Sequence, residues 1–348
     1  MKLGLVVNDL ATEQATYTTI RLGLTALEMG HEVWVMSVGD LANGPDDSVY
    51  AWAHAAPAKR YRTPASYLVA LQGDTAKRER ITVDELDVLM LRNDPAADLG
   101  TRPWAQNAGL IFGERAAARG VIVVNDPVAL AGATTKMYFE TFPAEVRPRS
   151  LISRTPADLK KFVKDEGGRA CLKPLQGSGG TNVFVISKKN VGNLNQIIDA
   201  VTRDGYAIAQ EFLPAASRGD IRLFVMNGEA FEVDGHYCAF RRIAAKGDVR
   251  SNVHAGGSLA RATITDAILE LVQIVRPKLI QDGMFLVGLD IVGAKLMELN
   301  VFSPGGLGNA QRFEGVDFSR AMIEALERKV SVRSHSRGTL SNRALAMI

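Results

Sequence analysis

Three stretches of the chain carry side chains suited to holding charged ligands. The first is Lys173-Pro174-Leu175-Gln176-Gly177-Ser178-Gly179-Gly180, where a lysine at a strand end opens into a glycine-rich turn. Glycines lack Cβ atoms and admit positive φ, so successive backbone N–H groups turn inward on an anion such as a triphosphate, while the lysine adds a point charge. It is not a Walker loop, since no Gly-Lys-Ser/Thr follows and the chain returns into a strand at Asn182–Ser187. An ordinary hairpin turn has the same composition, and that reading stays open at this point.

The second stretch pairs Leu289-Asp290-Ile291 with Met297-Glu298-Leu299-Asn300 across a turn containing Gly293 and Lys295. The spacing predicts a hairpin that lays Asp290 beside Glu298, with Asn300 on the same face of its strand as Glu298. Two carboxylates and an amide oxygen among apolar residues form a hard-oxygen set that is costly without a cation, and magnesium suits it best. Solvated acids on an edge hairpin are the competing reading. The third stretch runs from Arg241-Arg242 to Arg250-Ser251-Asn252 and Gly256-Gly257. Charges bounded by glycines suit a lid that brings guanidinium groups onto phosphates or carboxylates, though a solvated surface loop has the same look. A weaker signal is Gln210-Glu211-Phe212-Leu213-Pro214 followed by Gly219-Asp220-Ile221-Arg222, which offers an apolar wall for a purine and an acid for ribose hydroxyls.

Other chemistries lack their residues. There is no Gly-x-Ser-x-Gly elbow, and His31, His54, His236, His254 and His335 have no metal-ligand spacing, so zinc is not expected. Cys171 and Cys238 read as small core residues, and two cysteines cannot build a disulfide framework.

The elements that must position these groups follow from the apolar pattern. Short runs at 3–7, 33–36, 87–92 and 121–125 alternate with helix-length segments at 16–30 and 103–119, which predicts a βαβ-type opening domain with a mostly parallel sheet. The first strand continues Asn8-Asp9-Leu10 without Gly-x-Gly-x-x-Gly, so a dinucleotide-binding oxidoreductase loses its main support. Segment 42–80 reads as a partly ordered insertion with a strand at 66–71. Beyond 127 come a short helix at 134–142, strands and one helix between 169 and 240 in an α+β pattern, a long helix at 265–281, two strands at 285–292 and 295–301, and a helix at 316–329. The expected organisation is 1–127 as an N-terminal α/β substrate-binding domain and 128–330 as the ligand-handling region, with a basic, flexible tail at 331–348.

At 348 residues with 47% hydrophobic and 23% charged residues, the chain has enough apolar content for several packed layers, which argues against disorder. The net charge of +3 resides in the tail, whose Arg333, Arg337 and Arg343 face no acid, leaving the first 330 residues formally neutral. Nucleic acid is therefore not an expected partner. No apolar run approaches membrane-spanning length and no leader pattern opens the chain, so the expectation is a cytoplasmic protein without a membrane partner.

Taken in order, Arg92-Asn93-Asp94-Pro95, Val124-Asn125-Asp126-Pro127, Lys136, Lys173-Pro174 with Gly177 to Gly180, Ala209 to Pro214, Gly219 to Arg222, Gly288 to Ile291 and Glu298 to Val301 resemble the ATP-grasp ligases, and more closely bacterial glutathione synthetase. The resemblance covers roughly residues 1–330 with gaps around 42–80. It implies an ATP-grasp fold, α/β plus α+β, behind an N-terminal parallel-sheet domain, with 128–215 as nucleotide-binding subdomain and 216–330 as catalytic and metal subdomain. It also implies an ATP-dependent carboxylate–amine ligase that works through an acyl phosphate, with small-molecule substrates and a homo-oligomeric, tetrameric assembly.

By the same resemblance Lys136, Lys173, Gly177, Ser178, Gly179 and Gly180 would hold the ATP phosphates. Gln210, Phe212 and Leu213 would border the nucleotide, with Glu211 or Asp220 at the ribose. Asp290, Glu298 and Asn300 would hold two magnesium ions, manganese being an alternative. Arg222, Arg242 and Asn252 would face the transferring phosphate or the acceptor carboxylate, and Arg92, Asp94, Arg250, Ser303, Gly305 and Gly306 would meet the acceptor. The family's usual Ser-Pro-Thr after the metal asparagine is here Ser303-Pro304-Gly305-Gly306, and its usual Asp-Gly at the start of the glycine loop is Gln176-Gly177. The acceptor itself is therefore less defined than the use of ATP.

Overall fold

The structure is a computed structural model and describes all residues except 177–181, 188–189, 244–256 and 337. Its first sheet contains β1 (Lys2–Val7), β2 (Glu32–Ser37), β3 (Leu41–Asn43), β4 (Val49–Ala55), β5 (Lys77–Thr82), β6 (Val88–Leu91) and β7 (Ile122–Val124). The order is β3-β4-β2-β1-β6-β7, with β5 on the other edge of β4. β1, β2, β6 and β7 are mutually parallel. Their apolar residues are buried on both faces, as in β1, where Leu3, Leu5, Val6 and Val7 are all enclosed.

The insertion at 42–80 is ordered. β3, β4 and β5 form an antiparallel extension of the sheet, and the expected strand at 66–71 is instead part of a helix, Pro64–Gln72. Thr63 explains the difference: its hydroxyl accepts from the Ser66 N–H in a capping box, and Pro64 occupies the first helical position. Likewise the short helix expected at 134–142 is a 3-10 run, Lys136–Thr141, capped by Thr135.

A second sheet is wholly antiparallel in the order β10-β9-β11-β8, from β8 (Ser150–Ser153), β9 (Ala170–Pro174), β10 (Phe184–Ile186) and β11 (Ala207–Glu211). The helices Pro156–Asp165 and Leu194–Thr202 cover it, and Leu159, Val163, Leu172, Ile186 and Ile198 form its own small core. The third sheet, β17-β16-β12-β18-β19 with the short β13 (Glu229–Ala230) on β12, is built from β12 (Asp220–Met226), β16 (Ala239–Ile243), β17 (Ser258–Ala260), β18 (Leu286–Val292) and β19 (Lys295–Asn300). Between β13 and β16 lies a two-stranded ribbon of β14 (Glu232–Val233) and β15 (His236–Tyr237). The helix Asp266–Gln281 buries Ile268, Leu271, Val272, Val275 and Leu279 in a core shared with β12 and β18.

The described residues of 331–348 are docked on the body of the protein and are not the flexible tail expected from sequence. The helix Phe318–Ser336 continues through the first part, and a second helix, Asn342–Ala346, docks on β7. The arginine that looked like tail basicity is used structurally: Arg333 donates to Asp87 and to the Gly120 carbonyl. The Asn342 side chain receives the Val123 N–H at 2.8 Å and donates to the Val123 carbonyl and to Asp126, both at 3.0 Å. An amide thus takes the place of one more strand along the outer edge of β7.

Candidate active site

Between the second and third sheets, and closed at one end by the loop after β6, lies an open cleft. Its walls come from four parts of the chain: Asp94 to Ala96, the run from Ala133 to Glu140, β9 and β11 with Lys173 and Gln210, and β19 with Glu298 and Asn300.

Lys136 is placed by its own capping run, and its backbone N–H donates to the Leu175 carbonyl, tying it to the end of β9. Burial is the main influence on the Lys136 ammonium and lowers its pKa, with Lys173 acting in the same direction and Glu298 and Asp94 opposing. Lys173 stands on β9 opposite Ile208 and donates to the Gln210 carboxamide at 3.1 Å. Two lysines converging in one cleft repel each other, which an anion between them relieves.

On the facing side β18 and β19 pair as the spacing predicts, Asp290 opposite Glu298 and Gly288 opposite Asn300. The three oxygen-bearing side chains therefore share a face. Asn300 donates its amide hydrogens to Asp290 and to the Gly288 carbonyl, both at 3.3 Å, which turns its amide oxygen away from them. Asp290 is 3% exposed and is held by two guanidinium groups: Arg222 contacts it through Nε and Nη2, the latter at 2.9 Å, and Arg242 through Nη2 at 2.7 Å. Burial alone would raise the Asp290 pKa, but the two arginines outweigh it and hold the carboxyl below the usual range. The donor chemistry of Asp290, Glu298 and Asn300 fits a hard divalent cation, with the arginines sharing Asp290. Among the described residues no three His, Cys, Asp or Glu side chains cluster.

The remaining expected residues divide by position. Asp94 lines the cleft, caps the short helix that begins at Pro95, and has its carboxyl pKa raised chiefly by burial. Ser303 lines the cleft, and the Gly305 carbonyl accepts from Arg222. Gly306, at φ +98°, starts the helix Leu307–Glu314, and a Cβ there would run into Phe240. Arg92 is buried behind this loop, donating to the Pro304 carbonyl at 3.0 Å.

Of the two acids expected at the ribose, Asp220 is buried against Arg242 and is not among the residues lining the described cleft. Glu211 pairs with Arg149 at 3.0 Å at the end of β11, and the Phe212 ring is covered by Arg169; neither lines the cleft. Gly177, Ser178, Gly179, Gly180, Arg250 and Asn252 lie outside the described residues. Sequence reasoning missed the apolar wall made by Leu175, Ile208 and Met297. The signal was available, since Ile208 and Gln210 are two apart on one strand face.

A three-sheet fold with a cleft between two antiparallel sheets is that of the ATP-grasp class, and solved structures agree. The D-cycloserine synthetase DcsG superposes with a TM-score of 0.62 over 94% of this chain and 99% of its own, at 14% identity. The ATP-grasp ligase PsnB, solved with minimal precursor, Mg and ADP, gives a TM-score of 0.58 over 94% and 98% at 16% identity.

Sequence comparison narrows the class. The N-terminal domain model of prokaryotic glutathione synthetase matches residues 1–131, and its ATP-grasp domain model matches 135–315. The glutathione synthetases of Vibrio parahaemolyticus and Gloeobacter violaceus are each 31% identical, over 95% and 94% of this chain and 99% and 96% of their own lengths. The chain belongs to the prokaryotic glutathione synthetase family. It is an ATP-grasp ligase that forms a carbon–nitrogen bond using ATP with a divalent metal ion. Among the described residues no helix is long and apolar enough to cross a membrane.

Proposed function

We propose that this ligase joins γ-glutamylcysteine to glycine, making glutathione, ADP and phosphate. The observation that carries the reading is the single cleft in which Lys136 and Lys173 face Glu298 and Asn300, beside the Asp290–Arg222–Arg242 cluster. An acceptor carboxylate oxygen attacks the γ-phosphorus and ADP departs, giving an acyl phosphate. The glycine nitrogen then attacks the acyl carbon, phosphate leaves, and the nitrogen gives up a proton. No protein nucleophile is required; charge neutralisation and in-line placement suffice.

Lys136 and Lys173 are assigned to the phosphates, and Arg222 and Arg242 to the charge that builds on the transferring group. Asp290, Glu298 and Asn300 are assigned to two magnesium ions, with manganese an alternative. A bound divalent ion withdraws charge from the phosphate oxygens and lowers the barrier to attack. Leu175, Ile208 and Met297 offer the apolar surface that a purine needs. Arg92, Asp94 and the Ser303–Gly306 loop are assigned to the acceptor, and Gly177 to Gly180, Arg250 and Asn252 to the closing loops. The border between acceptor-binding and ATP-grasp parts is placed at residue 127, and the assembly is a homo-oligomer in the cytoplasm.

The test is phosphate release with ATP, magnesium, γ-glutamylcysteine and glycine, omitting each substrate in turn. Release that requires both supports the assignment. Release with neither, or with another dipeptide in preference, replaces the acceptor while keeping the chemistry; the glycines at 305 and 306 are the observation that keeps this second reading open.

A further inference from the structure

The hairpin that carries the expected metal ligands is secured from outside its own sheet. β19, with Glu298 and Asn300, is the last strand of the third sheet, and among the described strands it pairs with β18 alone. The ladder between the two is not uniform. Asp290 stands opposite Glu298, but Ile291 stands opposite Leu296, so Met297 is an extra residue. This bulge separates the turn at Gly293 from the three ligands, and the turn by itself does not set their register. A slip of one residue on the open side of the bulge would carry Glu298 and Asn300 to the other face of the sheet. Lys295 donates to the Glu145 carbonyl at 2.7 Å, but that tie lies on the turn side.

At its open end the hairpin meets Asn125, the residue that follows β7 of the first sheet. The Asn125 Oδ1 accepts from the Leu286 N–H at 2.9 Å, and its Nδ2 donates to the Leu286 carbonyl at 2.9 Å and to the Val301 carbonyl at 2.6 Å. Leu286 opens β18 and Val301 directly follows Asn300, so one carboxamide spans both strands where their own pairing ends. Asn125 is 5% exposed, and both of its side-chain donors are used. The Asp126 N–H next to it donates to the Gly283 carbonyl at 3.1 Å, tying the same crossing to the approach of β18.

We propose that Asn125 is a positioning residue for the reaction: its carboxamide clasps the open end of the β18–β19 hairpin and fixes the register in which Asp290, Glu298 and Asn300 meet a divalent cation together. The inference rests on the ligase reading above, through its metal assignment, and extends that assignment to a residue of the first sheet. Asn125 does not line the cleft, so it acts through the strands and not on a substrate. Asn300 depends on the clasp most directly. The hydrogen bonds of its own side chain, to Asp290 and to the Gly288 carbonyl, are both long at 3.3 Å, whereas the clasp grips the very next residue of the chain at 2.6 Å. Groups that orient metal ligands from behind govern affinity for the ion without touching it.

The experiment titrates Mn2+ onto the full chain loaded with ADP and reads free Mn2+ by electron paramagnetic resonance, which needs neither acceptor nor turnover. Asn125→Ala should weaken Mn2+ binding roughly 10- to 100-fold, with metal-free ADP affinity held within about threefold. Asn125→Asp keeps an acceptor for the Leu286 N–H but loses both donors, and should weaken Mn2+ binding in the same way. Asn342→Ala is the control for general destabilisation: it removes hydrogen bonds on the outer edge of β7 without touching the hairpin and should leave Mn2+ affinity unchanged. Unchanged Mn2+ affinity in the Asn125 variants, an equal loss in Asn342→Ala, or failure of both Asn125 variants to fold overturns the inference. Wild type that binds no Mn2+ refutes the metal assignment, and the clasp falls with it. Weakened Mn2+ binding in the variants, alongside a wild type that releases no phosphate with γ-glutamylcysteine and glycine, refutes those substrates alone and supports the clasp.

Discussion

Asp290 and Glu298 sit opposite each other on paired strands, yet their replacement should have different consequences for folding. From sequence alone both substitutions are expected to abolish ATP turnover and spare the fold. The geometry separates them. In Asp290→Asn, Arg242 keeps Asp220 as counter-ion, but Arg222 is left with neutral acceptors, the Gly305 carbonyl and the new amide oxygen. Arg222 is 7% exposed, so the variant leaves a buried guanidinium without its counter-ion, a loss of about 3–5 kcal/mol. That is a large part of a typical domain's stability, and the urea midpoint should fall by about 1 M or more. Glu298 lines the open cleft with no ion pair among the described residues, so Glu298→Gln should alter stability by less than about 1 kcal/mol. Both variants should lose roughly 100-fold or more in turnover. The assays are urea unfolding followed by tryptophan fluorescence and ADP formation under saturating ATP. If Asp290→Asn unfolds at the same urea concentration as Glu298→Gln, the buried cluster does not hold Asp290 as described.

Further outcomes follow from the same geometry. Chelating divalent cations should stop ATP turnover yet leave the unfolding midpoint where it was, because arginines already compensate Asp290. Lys173→Met should raise the ATP Michaelis constant about tenfold or more, with acceptor binding little changed, as steady-state kinetics would show. Asn342→Ala removes three hydrogen bonds at β7 and should cost about 1–3 kcal/mol in urea unfolding.

Much of this molecule was legible because its signals are local. Continuous apolar runs marked the parallel strands, and Gly293, at φ +63°, marked the turn that lays Asp290 against Glu298. Residues 66–71 read as a strand because Ser-Tyr-Leu-Val-Ala-Leu has no helical period, while the decisive residue, Thr63, precedes them. The arginine cluster was illegible for a different reason: Arg222 and Asp290 are 68 positions apart, and only strand order makes them neighbours. The basic tail was misjudged in the same way, since its charge was visible and its partner Asp87, 246 positions earlier, was not.

The asparagine that closes the outer edge of β7 is made 219 residues after the strand it covers. At a synthesis rate of about 5–20 residues per second, that edge waits roughly 10–45 s with open backbone groups. An uncovered strand edge is a template for pairing with other chains. A nascent chain is thus most exposed to aggregation late in translation, and a stalled ribosome that withholds Asn342 would release a product with its sticky side unprotected.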